Sequence, residues 1–382
     1  MTAVKISEQQ RADFMNIFNA DTIKSQQADP NEVTLPSGQK QVWSNEEYGA
    51  YIRENYTVLY FLFQDYFAQY RQSHDMTAQI ERLKPGLDEV SLTYLERHEQ
   101  LLDAMSVARH CLVEKDFAWT PEDKKRFAHY QECKAQNPLL QKLSLDYGSI
   151  FTNQYGLYDL PEDVANAING KDIIDAGAFI GDNIWLFRDK FPQSHLYCFE
   201  PDPRNFKYLN IMFSDEIDSG MVQAFNMGLG EEKGLLHLSR IPEIPQANPS
   251  SSFFYNFEAD QAPDGNEADH ETVAATADNA ESKVKGVDVD IITIDDLVAD
   301  KNLQVGLIKM DVEGFEPHIV RGALNTIRTQ RPVLAISIYH TPEEFYELKP
   351  FFESLDLNYQ FQIRRNSLCA PLFDIVLICY PR

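Results

Sequence analysis

The stretch IIDAGAFIGD, residues 173–182, decides the fold of the second half of the chain. An apolar run ends at Asp175, the glycines Gly177 and Gly181 follow, and a helical pattern begins after them. Gly177 lets the backbone turn sharply and approach a ligand, since it has no Cβ. The exposed N–H groups and the positive dipole end at the start of the helix attract a carboxylate or a phosphate. The pattern therefore predicts a strand, a ligand-binding turn and a helix.

Short apolar runs of the same kind recur through the rest of the chain. The candidate strands cover residues 172–176, 195–199, 222–226, 306–310, 333–338, 359–363 and 373–379. Helical patterns follow most of the first five, which predicts a mainly parallel, doubly wound α/β sheet. The last two runs lie too close together for a crossover helix, so they predict an antiparallel hairpin at the end of the domain.

The first part of the chain has a different hydrophobic pattern, and residues 1–145 are predicted to form an α-helical N-terminal domain. Residues 44–72 give the clearest helical pattern, in which Ser44 and Glu47 form a capping box ahead of an aromatic stripe. Thr120 and Pro121 predict the start of a later helix. Residues 146–382 would form the second domain, with a mobile acidic insertion at 259–282. The sequence assigns no role to the helical domain.

A carboxylate marks the end of the second predicted strand. Glu200 lies 25 residues after Asp175, within FEPDP at 199–203, where an acidic residue can accept hydrogen bonds from ribose hydroxyls. The glycine turn and Glu200 fit either a dinucleotide or S-adenosylmethionine. Asp175 favours the second, because a carboxylate there repels a pyrophosphate and suits the ammonium group of a methionine moiety.

Acidic residues and a histidine come together at the ends of the next two strands. Asp311 and Glu313 follow the fourth strand, within KMDVEGFE at 309–316, and His340 follows the fifth. Thr341 and Glu344 predict a helix start directly after His340. The imidazole would therefore lie near both carboxylates, as a general base or a substrate contact. Alternatively, Asp311, Glu313 and His340 offer oxygen and nitrogen ligands for Mg²⁺ or Mn²⁺.

With these motifs, residues 157–377 resemble the FkbM-type methyltransferases. The resemblance rests on five stretches, which are DAGAFIGD at 175–182, FEP at 199–201, NMGLG at 226–230, TIDDL at 293–297 and KMDVEG at 309–314. It implies a class I methyltransferase fold that is Rossmann-like, with a seven-stranded sheet. It also implies S-adenosylmethionine as methyl donor and a hydroxyl of a sugar, glycan or secondary metabolite as acceptor.

The resemblance also implies roles for individual positions. Gly177 and Gly181 would hold the methionine end and Glu200 the ribose. Asn226 and Met227 would lie beside the adenine, and Asp311 near the methyl group. The predicted cofactor site therefore comprises Asp175, Gly177, Ala178, Gly181, Glu200, Asn226, Met227 and Asp311.

The composition argues against several classes of binding partner. A net charge of -25 without a Lys/Arg run argues against nucleic acid and anionic membranes as partners. Five cysteines without a CxxC pair argue against a disulfide framework and fit a reducing compartment. The first residues lack a secretory pattern, and no apolar run approaches the roughly 20 residues of a membrane span, so we expect a cytoplasmic protein. The expected partner is a small-molecule or glycan acceptor, and the helical domain offers a surface for oligomerisation.

These features favour methyl transfer to a hydroxyl oxygen, with His340 as the base and Asp311 assisting it. One alternative is an oxidoreductase that uses a nicotinamide dinucleotide. The other is a degenerate domain that binds partners without catalysis. Asp175 argues against the first alternative and the intact cleft residues argue against the second.

Overall fold

The computed structural model describes part of the chain. The described residues are 31–34, 40–43, 56–61, 63–105, 110–137, 141, 148, 152–238, 287–368 and 370–382. The predicted insertion at 259–282 and the capping box of Ser44 and Glu47 lie outside them. Among the described helices, none is both long enough and apolar enough to cross a membrane.

The described residues before 150 combine helices with two short strand pairs. The strands are β1 (Asn31–Thr34), β2 (Lys40–Trp43), β3 (Tyr56–Tyr60) and β4 (His110–Glu114). The helices are α1 (Gln64–Ser73), α2 (Met76–Leu83), α3 (Glu89–Met105), α4 (Lys115–Ala118) and α5 (Pro121–Gln136). β1 pairs with β2 and β3 with β4, both antiparallel.

The single helix predicted over residues 44–72 is wrong in its middle part. Tyr56–Tyr60 forms β3, and the helix begins only at Gln64. The run YTVLY is rich in β-branched and aromatic residues, which favour a strand once a partner such as β4 is present. By contrast, the helix start predicted at Thr120 is confirmed. The Asp123 N–H donates to Thr120 Oγ1 at 3.1 Å, and the Thr120 N–H donates to Asp123 Oδ2 at 2.7 Å.

A 3₁₀ segment, Gln154–Asp159, precedes the α/β part of the chain. The strands that follow are β5 (Asp172–Ala176), β6 (Leu196–Phe199), β7 (Val222–Phe225), β8 (Gly228–Leu229), β9 (Gly234–Leu238), β10 (Val287–Ile292), β11 (Val305–Met310), β12 (Val333–Ser337), β13 (Tyr359–Arg365) and β14 (Ile375–Pro381). The helices are α6 (Glu162–Ile168), α7 (Asp182–Lys190), α8 (Pro203–Met212), α9 (Ser214–Asp218), α10 (Ile294–Lys301), α11 (Glu316–Arg321), α12 (Leu324–Gln330) and α13 (Pro342–Ser354).

Seven of these strands form one sheet in the order β13-β14-β12-β11-β5-β6-β7. β5 pairs in parallel with β6 and β11, and further parallel pairs join β6 to β7 and β11 to β12. The final strands are antiparallel. All seven predicted strands are present, so the predicted class I methyltransferase fold is confirmed. The strand order reverses at β5 and β11, which is where open α/β sheets bind their ligands.

A second sheet was not predicted from the sequence. β10 pairs in parallel with β8 and antiparallel with β9, giving three strands in the order β8-β10-β9. Leu238, Val289 and Ile291 are buried on this sheet. NMGLG at 226–230 therefore begins directly after β7 and contains the strand β8.

The contacts divide the chain into two compact units. The first comprises the residues up to Asp159 with Thr341–Pro350 and Gln360–Ile378, and the second comprises Leu160–His340, Phe351–Tyr359 and Cys379–Arg382. Within the first unit, the Arg364 guanidinium pairs with Asp88 and Asp159, and Arg365 pairs with Asp123. The predicted boundary at residue 145 stays a prediction.

Candidate active site at the carboxyl ends of the strands

The glycine turn after β5 is packed so tightly that it requires glycine at position 177. Gly177 has a φ of +77°, and a Cβ built there would lie 1.9 Å from the Asp311 carbonyl oxygen. The N–H groups of Gly177 and Ala178 both donate to the Phe199 carbonyl, at 3.0 and 2.9 Å. The turn thereby joins the ends of β5, β6 and β11.

Gly181 ends the turn and precedes the first residue of α7. Its φ is +90°, and a Cβ there would lie 2.5 Å from the Phe213 ring. Its N–H donates to the Ala178 carbonyl at 2.7 Å, and Ala178 is fully buried. Asp182 begins α7 at this point, and burial raises the pKa of its carboxyl to about 6.

Glu200 lies where the sequence predicted a ribose ligand, at the end of β6, and it already contacts the turn. Its Oε2 accepts the Phe179 N–H at 2.8 Å, and its Oε1 accepts the Asp202 N–H at 2.9 Å. The residue is 5% exposed, and burial raises the pKa of its carboxyl to about 8. Oε1 also accepts the Asn205 side-chain amide at 3.4 Å, so Oε2 is the oxygen that keeps a lone pair for a hydroxyl hydrogen.

Asn226 and Met227 follow β7, which is the neighbour of β6 in the sheet. The Asn226 side-chain amide donates to the carbonyls of Glu200 and Pro201 at 2.9 and 3.0 Å. Asn226 is exposed and Met227 is half-buried. The structure thus brings Asn226 to the Glu200 backbone, and the predicted contact of both residues with an adenine stays a prediction.

Asp175 has a partner that the sequence reasoning did not foresee. Its carboxylate is fully buried, and Oδ1 lies 3.0 Å from Lys309 Nζ. Lys309 also donates to the Gly177 carbonyl at 2.7 Å. Burial alone would lower the pKa of the Lys309 ammonium, but the Asp175, Asp311 and Asp182 carboxylates hold it above its usual value. The ammonium that Asp175 contacts in this structure is therefore that of Lys309.

Asp311, Glu313 and His340 come together as predicted. His340 Nε2 lies 3.6 Å from Asp311 Oδ1 and 3.6 Å from Glu313 Oε2. The imidazole is fully buried, whereas the two carboxylates keep 26% and 32% of their surface exposed. The Asp311 N–H donates to the Ala176 carbonyl at 3.0 Å, which fixes this group beside the glycine turn.

A third carboxylate, that of Glu316, contacts the other side of the imidazole. Its Oε1 lies 3.2 Å from His340 Nδ1, and the Glu316 side chain is fully buried. Asp311, Glu316 and His340 each present a ligand atom within 4.8 Å of the others, so this set could hold a metal ion. Partial burial raises the pKa of the neighbouring Glu313 carboxyl to about 7.

Lys309 and Glu316 are the two site residues that received no role from the sequence. Lys309 lies inside a buried strand, where a lysine is rare unless it is paired, and that rarity was the available signal. Glu316 is the third acidic residue of DVEGFE, and nothing in its spacing distinguishes it from a solvated residue at a helix start.

The sequence of this part of the chain matches that of a known family. Residues 175–362 match the model of the methyltransferase FkbM domain. The chain therefore carries an FkbM methyltransferase domain, and the family predicted from its motifs is confirmed.

Two curated relatives are similar to this part of the chain. Methyltransferase sdnD of Sordaria araneosa is 28% identical over 216 residues, which cover 53% of this chain and 76% of that protein. Methyltransferase 1 of Beauveria bassiana (strain ARSEF 2860) is 32% identical over 162 residues, which cover 42% of this chain and 61% of that protein.

Solved structures of methyltransferases are also similar to the chain. The methyltransferase FkbM of Methylobacillus flagellatus KT has 20% identity and a TM-score of 0.37, over 70% of this chain and 62% of that chain. The SAH-bound Podospora anserina methyltransferase PaMTH1 has 13% identity and a TM-score of 0.29, over 69% and 89% of the two chains.

Proposed function

We propose that the chain transfers a methyl group from S-adenosylmethionine to a hydroxyl oxygen of a sugar, a glycan or a secondary metabolite. The observation that carries the proposal is the placement of His340 Nε2 at 3.6 Å from both Asp311 Oδ1 and Glu313 Oε2, beside the glycine turn. A basic nitrogen at the ligand-binding edge of this fold is what an attacking hydroxyl group requires.

The residues around the turn fit the donor. The ribose hydroxyls would donate to the Glu200 carboxylate, which is held in place by the Phe179 and Asp202 N–H groups. The turn from Gly177 to Gly181 would hold the methionine moiety, with Asp311 near the methyl group. When bound, S-adenosylmethionine supplies an electrophilic methyl carbon on a sulfonium, so the protein mainly aligns donor and acceptor.

His340 acts on the acceptor side. Its Nε2 would take the proton of the acceptor hydroxyl, and the imidazolium formed there would face the carboxylates of Asp311 and Glu313. Opposite charges at this distance in a partly buried site stabilise the protonated ring. Positioned general bases typically contribute about 10²–10⁴-fold to a rate.

The family resemblance supplies the acceptor class. The net charge of -25 agrees with an acceptor that is not a nucleic acid. A screen of sugars, glycosides and phenolic or polyketide alcohols with methyl-labelled donor would identify the acceptor. Product analysis by mass fragmentation would then distinguish O-methylation from N-methylation.

Donor binding is tested by calorimetric titration with S-adenosylhomocysteine. At about pH 9, above the pKa of the Glu200 carboxyl, we expect Glu200→Ala to weaken binding about tenfold to a hundredfold, because charge-assisted hydrogen bonds contribute about 1.5–3 kcal/mol. If folded wild-type protein bound no S-adenosylhomocysteine and bound NAD⁺ instead, the methyl-transfer proposal would fail.

The role of His340 is tested by His340→Ala. We expect turnover to fall about 10²–10⁴-fold, while the dissociation constant of S-adenosylhomocysteine stays within a factor of about three. Unchanged turnover in this variant would remove His340 from the reaction.

A metal-assisted form of the same reaction is a second proposal, favoured by the convergence of ligand atoms from Asp311, Glu316 and His340 within 4.8 Å. Carboxylate and imidazole ligands together suit Mn²⁺, and carboxylates suit Mg²⁺. Exhaustive chelation followed by readdition of Mg²⁺ or Mn²⁺ tests it. Activity that survives chelation would end the metal-assisted form.

A further inference from the structure

The carboxylate of Glu316 is fixed by the turn that carries Asp311 and Glu313. Oε1 accepts the Val312 N–H at 2.9 Å, and Oε2 accepts the Gly314 N–H at 3.0 Å. Both donors belong to the segment that separates β11 from α11, and Glu316 is the first residue of that helix. The two backbone hydrogen bonds and the complete burial hold this carboxylate in one position.

That position places the Glu316 carboxyl group on one side of the imidazole. Glu316 Oε1 lies 3.2 Å from His340 Nδ1, and the ring has no exposed surface. An ionised carboxylate can only accept hydrogen bonds, so it favours a proton on the nitrogen that faces it. The other nitrogen, Nε2, lies toward Asp311 and Glu313, whose side chains are partly exposed.

We infer that Glu316 is a positioning residue that keeps the proton of neutral His340 on Nδ1 and leaves the Nε2 lone pair available to the acceptor hydroxyl. The opposite tautomer would leave the Nδ1 lone pair 3.2 Å from a Glu316 carboxylate oxygen, and the two would repel each other. A buried carboxylate selects the tautomer of a base in the same way in Ser-His-Asp hydrolases. The use of Nε2 in catalysis rests on the proposed function, whereas the tautomer itself does not.

The proton balance of the step follows from this arrangement. As the O–H bond of the acceptor breaks, an N–H bond forms at Nε2, and the Nδ1 proton stays opposite Glu316. The resulting imidazolium carries one positive charge beside the carboxylates of Asp311, Glu313 and Glu316. The Nε2 proton then passes to solvent by way of the Asp311 or Glu313 carboxylate, each of which keeps part of its surface exposed, and the starting tautomer is restored.

Glu316 also stabilises its own turn through two backbone hydrogen bonds. The test therefore needs a measurement that loss of those hydrogen bonds alone would not change. Asp295→Asn is the matched control. The Asp295 carboxylate likewise accepts two backbone N–H groups at a helix start, those of Asn325 and Thr326 at 2.9 and 2.8 Å. It belongs to a different segment of the chain, and no contact with His340 is among its interactions.

The experiment is nitrogen-15 NMR of the histidine side chains in the full chain, after chelation and at a pH where the His340 ring is neutral. The His340 signal is assigned by its loss in His340→Gln. We expect wild type and Asp295→Asn to show a protonated Nδ1 and an unprotonated Nε2. In Glu316→Gln, the share of the Nε2-protonated tautomer should rise to half or more.

A kinetic measurement on the same variants completes the test. We expect Glu316→Gln to lower kcat about 10- to 100-fold, with KM and S-adenosylhomocysteine affinity changed less than about threefold. Asp295→Asn should lose stability in urea while keeping its kcat. If Glu316→Gln does not fold, Glu316→Asp, which keeps the charge, is expected to keep the wild-type tautomer.

Two outcomes separate this inference from the proposed function. A wild-type His340 with an unprotonated Nδ1, or a tautomer that Glu316→Gln leaves unchanged, would overturn the role of Glu316. Turnover in His340→Ala equal to that of wild type, together with the expected tautomer, would instead remove His340 from the reaction and leave Glu316 as the residue that sets its tautomer.

Discussion

Lys309 and Asp175 are direct register partners on the neighbouring parallel strands β11 and β5, and their side chains form a buried ion pair of 3.0 Å. The exposed fractions of the two side chains are 1% and 0%. Lys309 also donates to the Gly177 carbonyl, so one ammonium group joins the centre of the sheet to the ligand-binding turn. The charge of Asp175, which the sequence assigned to a ligand, is balanced inside the protein.

Replacing Lys309 by methionine should destabilise the fold strongly. The substitution leaves the Asp175 carboxylate buried without its cation, and breaking a buried pair in this way costs about 3–5 kcal/mol. Urea unfolding at neutral pH, followed by circular dichroism, measures the loss in the free energy of unfolding.

The double variant Lys309→Met with Asp175→Leu is the control for this prediction. Apolar replacement of both partners is often neutral or stabilising, so we expect most of the loss to be recovered. Strictly additive effects of the two substitutions would show that the pair does not act as a unit.

Gly177→Ala should abolish cofactor binding. The new Cβ would meet the Asp311 carbonyl oxygen at 1.9 Å, so either the turn or the end of β11 must move. Gly220→Ala is a matched control, because Gly220 has a similar φ of +78° and nothing within 4 Å of its Cβ position. Both variants lose stability from the strained φ. Only Gly177→Ala should lose its heat of binding with S-adenosylhomocysteine, and equal affinities in the two variants would contradict this account.

The buried Glu200 carboxyl should make the stability of the protein depend on pH. Burial raises its pKa from 4.5 to about 8, so the folded state holds a proton that the unfolded state has released. This contribution to stability is complete below pH 4.5 and is lost as the pH rises toward 8 and through it. Between these values wild type should lose at most about 1.4 kcal/mol per pH unit relative to Glu200→Gln, which cannot titrate there. Urea unfolding of both proteins from pH 5 to pH 8.5 measures the difference.

The sheet was predictable because its central strands are buried on both faces and appear as short apolar runs. β5 and β11 are almost wholly buried along their length, which periodicity and length detect directly. Helix starts such as Thr120 and Thr341 were equally visible, because a capping box is encoded within four residues. Such features depend on neighbours along the chain.

What the sequence did not show depends on partners that are distant in the chain. The ion pair of Asp175 requires the register of β5 against β11, which aligns residues 134 positions apart. β3 was taken for helix because its partner β4 follows about fifty residues later. Glu316 acts on His340 only through the fold, since the two lie on the segments after β11 and β12.

The fragment 146–382, cut at the boundary predicted from the change in hydrophobic pattern, should fail to fold on its own. Within the first compact unit, Arg365 is 4% exposed and pairs with Asp123 at 2.8 Å, and Arg364 pairs with Asp88. The cut removes both aspartates and leaves two buried cations with fewer partners, which costs several kcal/mol. This is a large part of the 5–15 kcal/mol that stabilises a typical domain. Size-exclusion chromatography and thermal unfolding of the fragment against the full chain measure the effect. A monomeric fragment with a cooperative transition at the temperature of the full chain would show that residues 146–382 form an independent domain.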